Sequence, residues 1–252
     1  MVFGDDSKLS GFISGLKDGS AFQLQLKDRV SAGKVLAMVL KTGVIKRKKK
    51  DGRELLVVLG VPRGGVIVAD VIAEKLNADY FDIVIPRKLR APDNKENAIG
   101  AISQDGSVVY LDEFMTSSLK VPADYIEQEK QEQLREIERR IALYKPQKKA
   151  IEYDIPPDKS TVLLIDDGIA TGATIIAAAR WIRKQYQPGE LIIAAPVASK
   201  QAIELLKKES VADTVETVTT PANFVSVSQF YKDFDQATDD KVIEILRKRM
   251  ER

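Results

Sequence analysis

Two adjacent carboxylates, Asp166 and Asp167, follow the apolar run "VLLI" and stand directly before the turn "GIATGAT", Gly168 to Thr174. Neighbouring carboxylates repel, so the pair is favourable only where a cation or hydroxyl donors satisfy both. The turn supplies a complementary half. Gly168 and Gly172 permit tight turning and close backbone approach, Thr171 and Thr174 carry hydroxyls, and the segment runs into a helix. The first N–H groups of a helix lack internal partners. With the helix dipole they make an anion site worth roughly 0.3–2 kcal/mol per charge. One loop thus offers carboxylates for a diol or Mg2+ and, beside them, a cradle for a phosphate. A sugar phosphate has both parts, a few ångströms apart.

Rival motifs fit less well. A Walker loop needs Gly-Lys-Ser/Thr, whereas Gly172 is followed by Ala173, and no G-x-G-x-x-G occurs. A phosphoryl-accepting receiver domain also ends a strand in acids but needs no Thr-Gly-Ala-Thr. Simple helix capping accounts for one carboxylate, not for two with this glycine spacing.

Two more stretches carry chemistry. In "GVPRGG", Gly60 to Gly65, Arg63 offers a fork of donors suited to phosphate oxygens, with Gly64 and Gly65 beside it. In "PRKLRAP", Pro86 to Pro92, Arg87 and Lys88 adjoin a segment read as a mobile lid that shields a reaction from water. Each also fits a surface turn with solvated cations.

The elements that must position these residues follow a pattern. "ELLVVLG" (Glu54–Gly60), "FDIVIP" (Phe81–Pro86), "STVLLID" (Ser160–Asp166), "ELIIAAP" (Glu190–Pro196) and "TVETVTT" (Thr214–Thr220) read as strands alternating with helices. Strands apolar throughout argue for a parallel sheet covered on both faces, with ligands at the strands' carboxyl ends. The expected fold is α/β, a doubly wound, mostly parallel sheet of about five strands. A helix is expected over Phe22–Thr42, with Leu26, Val30, Ala37 and Leu40 on one stripe. An insertion over about 98–145 breaks the alternation. It comprises a hairpin turning at Asp105-Gly106 and a long charged helix with a stripe at Ile126, Leu134, Ile137, Ile141 and Tyr144. Residues 1–20 read as a flexible tail and 21–252 as a single domain. "KRKKKDG", Lys46–Gly52, reads as a solvated basic turn.

Composition sets bounds. The 252 residues are 44% apolar and 30% charged, and 39 basic against 37 acidic side chains leave a formal charge of +2. That balance gives no push towards nucleic acid. The absence of Cys and His excludes disulfides, thiolate catalysis and the commonest general base, so any metal should be a hard, oxygen-liganded one such as Mg2+. The N-terminal segment has no apolar leader, and "LIIAAPVA" is too short to span a bilayer, so a cytoplasmic protein is expected.

The thirteen residues "VLLIDDGIATGAT" closely resemble the signature of type I phosphoribosyltransferases, which bind 5-phosphoribosyl-1-diphosphate. The resemblance extends over Phe22 to about Asp240, through "DRVSAGKVLA", "GVPRGG" and a late "FYKDFDQ". It implies that Asp166 and Asp167 hold the ribose hydroxyls, directly or through Mg2+, as metal ligands through water or the hydroxyls themselves. Ile169, Ala170, Thr171, Gly172, Ala173 and Thr174, after Gly168, would wrap the 5-phosphate. Arg63, Arg87, Lys88 and Asp167 would form the catalytic set, with "GVPRGG" and the Arg87–Lys88 pair on the departing diphosphate.

The implied reaction passes phosphoribose to a nucleobase or similar nitrogen acceptor in a cytoplasmic homodimer. Ala170 stands where 6-oxopurine enzymes carry an acid, which weakens a hypoxanthine or guanine assignment. The acceptor hood is expected in "TPANFVSVSQFYKDFDQ", Thr220–Gln236, with Phe224, Phe230, Tyr231 and Phe234 as stacking candidates, although such aromatics equally fit ordinary packing. A second reading keeps the fold without turnover: a regulatory protein that senses the diphosphate sugar and contacts nucleic acid or a protein partner through Lys46–Lys50 or the charged helix.

Overall fold

The computed structural model describes residues 25–43, 55–95, 97–145 and 159–251. The expected tail and basic turn lie outside the described residues. Five parallel strands make the main sheet: β1 (Leu55–Gly60), β2 (Tyr80–Ile83), β6 (Ser160–Ile165), β7 (Glu190–Val197) and β8 (Thr214–Thr219), in the order β2-β1-β6-β7-β8. Alternate side chains of these strands enter different cores, as the two-residue repeat of a strand requires. Val58, Leu163, Ile165 and Ile192 pack with helices α1 (Arg29–Gly43) and α2 (Gly64–Leu76). Val57, Leu59, Val162, Leu164 and Ile193 pack on the other face with α5 (Ala173–Tyr186) and α6 (Lys200–Lys208). That double coverage explains why the strands are apolar throughout.

The chain leaves β1 for β2 on one side and leaves β6 for β7 and β8 on the other. The winding therefore reverses between β1 and β6, which pair in register up to Gly60 opposite Ile165. Ligand crevices in such sheets open beyond the strand ends at this point. The loops after these two strands are "VPRGG" and "DDGIATGAT".

A second sheet is antiparallel, in the order β3 (Arg87–Arg90), β4 (Ala98–Ile102), β5 (Val109–Leu111). The expected hairpin is its β4–β5 half, and Gly106 takes the positive φ of +73° that its turn requires. The Arg87–Arg90 stretch, beside the segment read as a lid, is itself a strand paired with β4. Helix α3 (Glu113–Ser118), capped by Asp112, leads to the long helix α4 (Ala123–Tyr144). The stripe on α4 is more polar than expected, for Glu129 and Gln133 are buried with Ile137 and Tyr144. Glu129 accepts from the Arg90 Nε at 2.7 Å and Gln133 from the Arg87 Nε at 2.9 Å, so strand β3 satisfies both. The C-terminal helix α7 (Asp239–Met250) closes a third core, where Val242, Ile245 and Leu246 meet Ile137, Ile102 and Val66.

The first helix begins later than its hydrophobic repeat suggested. The Asp28 carboxylate accepts from the Ser31 amide at 2.7 Å, capping a helix that starts at Arg29. Leu26 lies outside that helix, in a short bridge to Tyr231, and Val30 is exposed. Among the described residues, no helix is long and apolar enough to cross a membrane.

Candidate functional site

Asp166 is the first residue beyond β6. Its amide still bonds to the Ala194 carbonyl, while its Oδ1 accepts from the Asp167 amide at 2.8 Å. Burial, then the charge of Asp167, pushes the Asp166 carboxyl well above the usual carboxylate range. Asp167 is compensated differently. The Arg29 Nε donates to its Oδ2 at 2.7 Å, with the two side chains only 10% and 16% exposed. Its backbone carbonyl accepts from the Tyr231 hydroxyl at 2.6 Å. Burial and the nearby Asp167 in turn hold that phenol well above its ordinary value.

The loop beyond is stitched to the end of β7. Ile169 donates to the Val197 carbonyl, the Ser199 amide donates to Ile169, and the Ser199 hydroxyl donates to the Ala170 carbonyl at 2.6 Å. Gly172, at φ +87°, caps α5, whose first helical bond runs from the Ile176 amide to the Gly172 carbonyl. The amides of Ala173, Thr174 and Ile175 are therefore those that a helix start leaves for an external acceptor. Ala170 and Thr171 beside them are exposed, and Thr174 is half-buried.

Close packing explains three glycines. A Cβ on Gly64 would fall 1.8 Å from the Asp167 Oδ2, and one on Gly65 would fall 2.8 Å from the Asp166 Cα. On Gly168 it would meet Val227 at 2.4 Å. The two loops at the switch point thus touch through the side chains that these glycines lack, and the hood segment rests on the acid loop.

Arg63 caps α2 after a cis Pro62–Arg63 peptide and is about a third exposed, its guanidinium 4.0 Å from Asp239. Asp239 accepts from the Tyr144 hydroxyl at 2.5 Å, so the start of α7 and the end of α4 border the arginine loop. Arg87 faces α4, where burial, then the charge of Arg140, lowers its pKa. Lys88 pairs with Ala101, which belongs to the core on the α5 side, so Lys88 projects from the opposite face of the small sheet and is exposed. The structure therefore separates the two expected diphosphate cations onto different faces.

The hood residues pack tightly. Phe230 and Tyr231 are buried, and Phe224 leans on Phe230 with ring centroids 5.5 Å apart. Phe234 has the Arg29 guanidinium 3.9 Å from its centroid and the Tyr231 ring at 4.9 Å. The rings expected to stack on a base thus contact one another and Arg29, with Phe224 and Phe234 half-buried. An open cleft of about 410 Å³ remains between hood and arginine loop, lined by Arg29, Arg63, Gly64 and residues 234–237.

Arg29 is the site residue that sequence reasoning missed. It lies 138 positions from its carboxylate partner, and its one signal was its place in "DRVSAGKVLA". Asp239, Tyr144 and Arg140 were missed likewise.

Comparison with known proteins bears on the same arrangement. A family model described as a phosphoribosyl transferase domain matches residues 36–235. Two Mycobacterium tuberculosis proteins, MT0597 of strain CDC 1551 and Rv0571c of strain H37Rv, are each 33% identical over 219 residues. Their names place them provisionally among phosphoribosyl transferases. The match covers 87% of this chain and 46% of theirs, so the chain spans about half the length of these curated relatives. The crystal structure of TT1426 from Thermus thermophilus aligns with a TM-score of 0.67 at 34% identity, over 89% of this chain and 99% of that one.

Proposed function

Because the chain belongs to the phosphoribosyltransferase family, we propose that it uses 5-phosphoribosyl-1-diphosphate to transfer phosphoribose to a nucleobase or similar nitrogen acceptor. One observation carries this reading: the Asp166–Asp167 pair and the open start of α5 lie on one loop, and the Arg63 loop packs against that loop across the switch point. The carboxylates hold the ribose 2- and 3-hydroxyls, and the Ile169–Thr174 turn wraps the 5-phosphate against the open amides at the start of α5.

In the transfer, the bond from C1 to the diphosphate oxygen breaks as the acceptor nitrogen bonds to C1 from the other face, and the proton that nitrogen carried leaves to water or the departing diphosphate. Arg63 stabilises charge on the departing diphosphate; Arg87 and Lys88, on different faces of β3, cannot both join it. Holding acceptor and sugar in line supplies much of the remaining acceleration. No covalent enzyme intermediate is required, in keeping with a chain that has neither Cys nor His.

The residues suit Mg2+ bridged by substrate rather than caged by protein. No group of three or more acidic, His or Cys side chains able to hold a metal occurs among the described residues, and Mg2+ commonly takes one or two carboxylates plus phosphate oxygens. Asp166 and Asp167 would hold it, directly, through water or through the ribose hydroxyls, and it would supply neutralisation of diphosphate charge.

The test is diphosphate release from the activated sugar with Mg2+ across a panel of bases. Release with one acceptor class supports the transferase. Tight sugar binding without release for any acceptor would instead favour a sensor that keeps the fold.

A further inference from the structure

The N-terminal lead of α1 and the hood form one unit. Leu26 donates to the Phe230 carbonyl at 2.8 Å, and Lys232 and Asp233 donate back to Leu26 and Lys27 at 2.7 and 2.8 Å. Arg29 ties this unit to the acid loop with three contacts from one guanidinium. Its Nε reaches the Asp167 Oδ2 at 2.7 Å, its Nη1 reaches the Asp235 carbonyl at 2.7 Å, and its Cζ lies 3.9 Å from the Phe234 ring centroid. Oδ2 is enclosed, since Gly64 lies so near that a Cβ there would be 1.8 Å away.

We propose that Arg29 is a positioning residue that couples the sugar site to the acceptor hood. By engaging Oδ2 it leaves the other carboxylate oxygen of Asp167 to the sugar. Through the same rigid fork it holds residues 234 and 235 over the cleft beside Arg63. These contacts are formed without ligand, and a sugar that steadies Asp167 would steady Arg29 and, through it, the hood. This inference rests on the transferase reading for the identity of the sugar, but the tether itself is independent of any ligand.

The test is residue-resolved hydrogen exchange at the Lys232 and Asp233 amides of the full chain, with calorimetry of 5-phosphoribosyl-1-diphosphate and Mg2+ alongside. Without ligand, Arg29→Ala and Asp167→Ala should each speed those amides about tenfold, as loss of a charge-assisted bond implies. The double variant should add nothing further, because both changes cut one tether. Arg29→Lys keeps a cation beside Asp167, but a single ammonium cannot also reach the Asp235 carbonyl and lie flat on Phe234. It should bind the sugar within about threefold of the parent, yet its hood amides should stay fast and gain no protection on binding, whereas the parent's should slow.

Unchanged hood exchange in Arg29→Ala would overturn the proposal. So would equal acceleration at the Leu36 and Leu40 amides of α1, which would show general loosening, and so would parent-like hood protection in Arg29→Lys. Failure of the parent to bind the sugar would refute the transferase reading instead, while the ligand-free variants would still decide whether the tether exists.

Discussion

Replacing Gly64 by alanine probes the contact between the two loops with one methyl group. Gly64 opens α2, and its Cβ would stand 1.8 Å from the Asp167 Oδ2, 2.4 Å from Cγ and 2.7 Å from the Arg29 Nε. Non-bonded heavy atoms settle at about 3.5–4.0 Å. The carboxylate must therefore swing away by more than about an ångström, which breaks its bond to Arg29. A hydrogen bond between charged groups in so enclosed a place contributes about 1.5–3 kcal/mol. Alanine in a helix recovers up to about 1 kcal/mol over glycine. The net loss should be about 0.5–3 kcal/mol, or roughly 1–12 °C in Tm for a chain of this size. Urea denaturation and a thermal scan read the stability, and calorimetry with the activated sugar reads the site. Sugar affinity should fall by about tenfold or more, since Asp167 no longer presents its free oxygen to the diol. Gly65→Ala is the contrast. Its Cβ would meet the Asp166 Cα and the Ile165 carbonyl at 2.8 Å, and backbone cannot rotate aside, so the fold should lose more than with Gly64→Ala. A Gly64→Ala protein within about 0.5 kcal/mol of the parent, binding sugar equally well, would refute the idea that Asp167 is held between Gly64 and Arg29.

Asp166→Asn tests the raised carboxyl. Because burial and Asp167 raise its folded pKa, the folded chain holds a proton that the unfolded chain releases above about pH 4, so stability should decline as pH rises from there to the folded pKa and then level. The asparagine variant should lack that decline in urea titrations across pH, and should bind the sugar poorly; a retained decline would locate the proton elsewhere. Arg63→Ala should reduce turnover far more than ribose 5-phosphate affinity, with stability changed by no more than about 0.5 kcal/mol, given its exposure and its 4.0 Å spacing from Asp239. Equal losses in both functional readouts would remove Arg63 from the diphosphate. Ile137→Ala, at a fully buried position of α4 between the small sheet and α7, should cost about 2–5 kcal/mol in urea denaturation. A loss below about 1 kcal/mol would mean that the third core is not closed as described.

The main sheet was legible because its physics is local. Strands covered on both faces must be apolar at every position, and "VLLI" or "LIIAA" satisfies that without reference to the rest of the chain. The acid loop was legible for the same reason: carboxylates, glycines and helix start are consecutive. What escaped depends on distant partners. Arg87 to Arg90 has charges at three of its four positions and reads as loop, yet it is a strand because α4 supplies Gln133 and Glu129 beneath two of those arginines. Glu129 and Gln133 likewise look like solvent positions until β3 covers them. Arg29 fell inside the helix expected over Phe22–Thr42, where nothing local marks it, and nothing local shows that Arg29 and Tyr231 flank Phe234. The C-terminal helix α7 was not anticipated at all, although Thr238 caps it and the acids of its first turn are ordinary start signals.

The two carboxylates at the centre of the site are relieved in unlike ways, and the difference constrains what can bind. Asp167 is held by a guanidinium that also serves the hood, whereas burial and the charge of Asp167 raise the Asp166 pKa. A ligand that offers only positive charge would compete with Arg29 for Asp167. Vicinal hydroxyls can donate to Asp166 and to the outer oxygen of Asp167 while leaving the Arg29 bond in place, so they engage the site at lower cost. The asymmetry therefore favours a diol as the primary occupant, with any divalent cation brought in alongside a substrate that supplies the rest of its oxygens. It also assigns the glycines of "VPRGG" a role beyond turn-making. By omitting their side chains, Gly64 and Gly65 bring the arginine loop against both acids, so that the groups proposed for the diol and for the leaving diphosphate meet across one seam between β1 and β6.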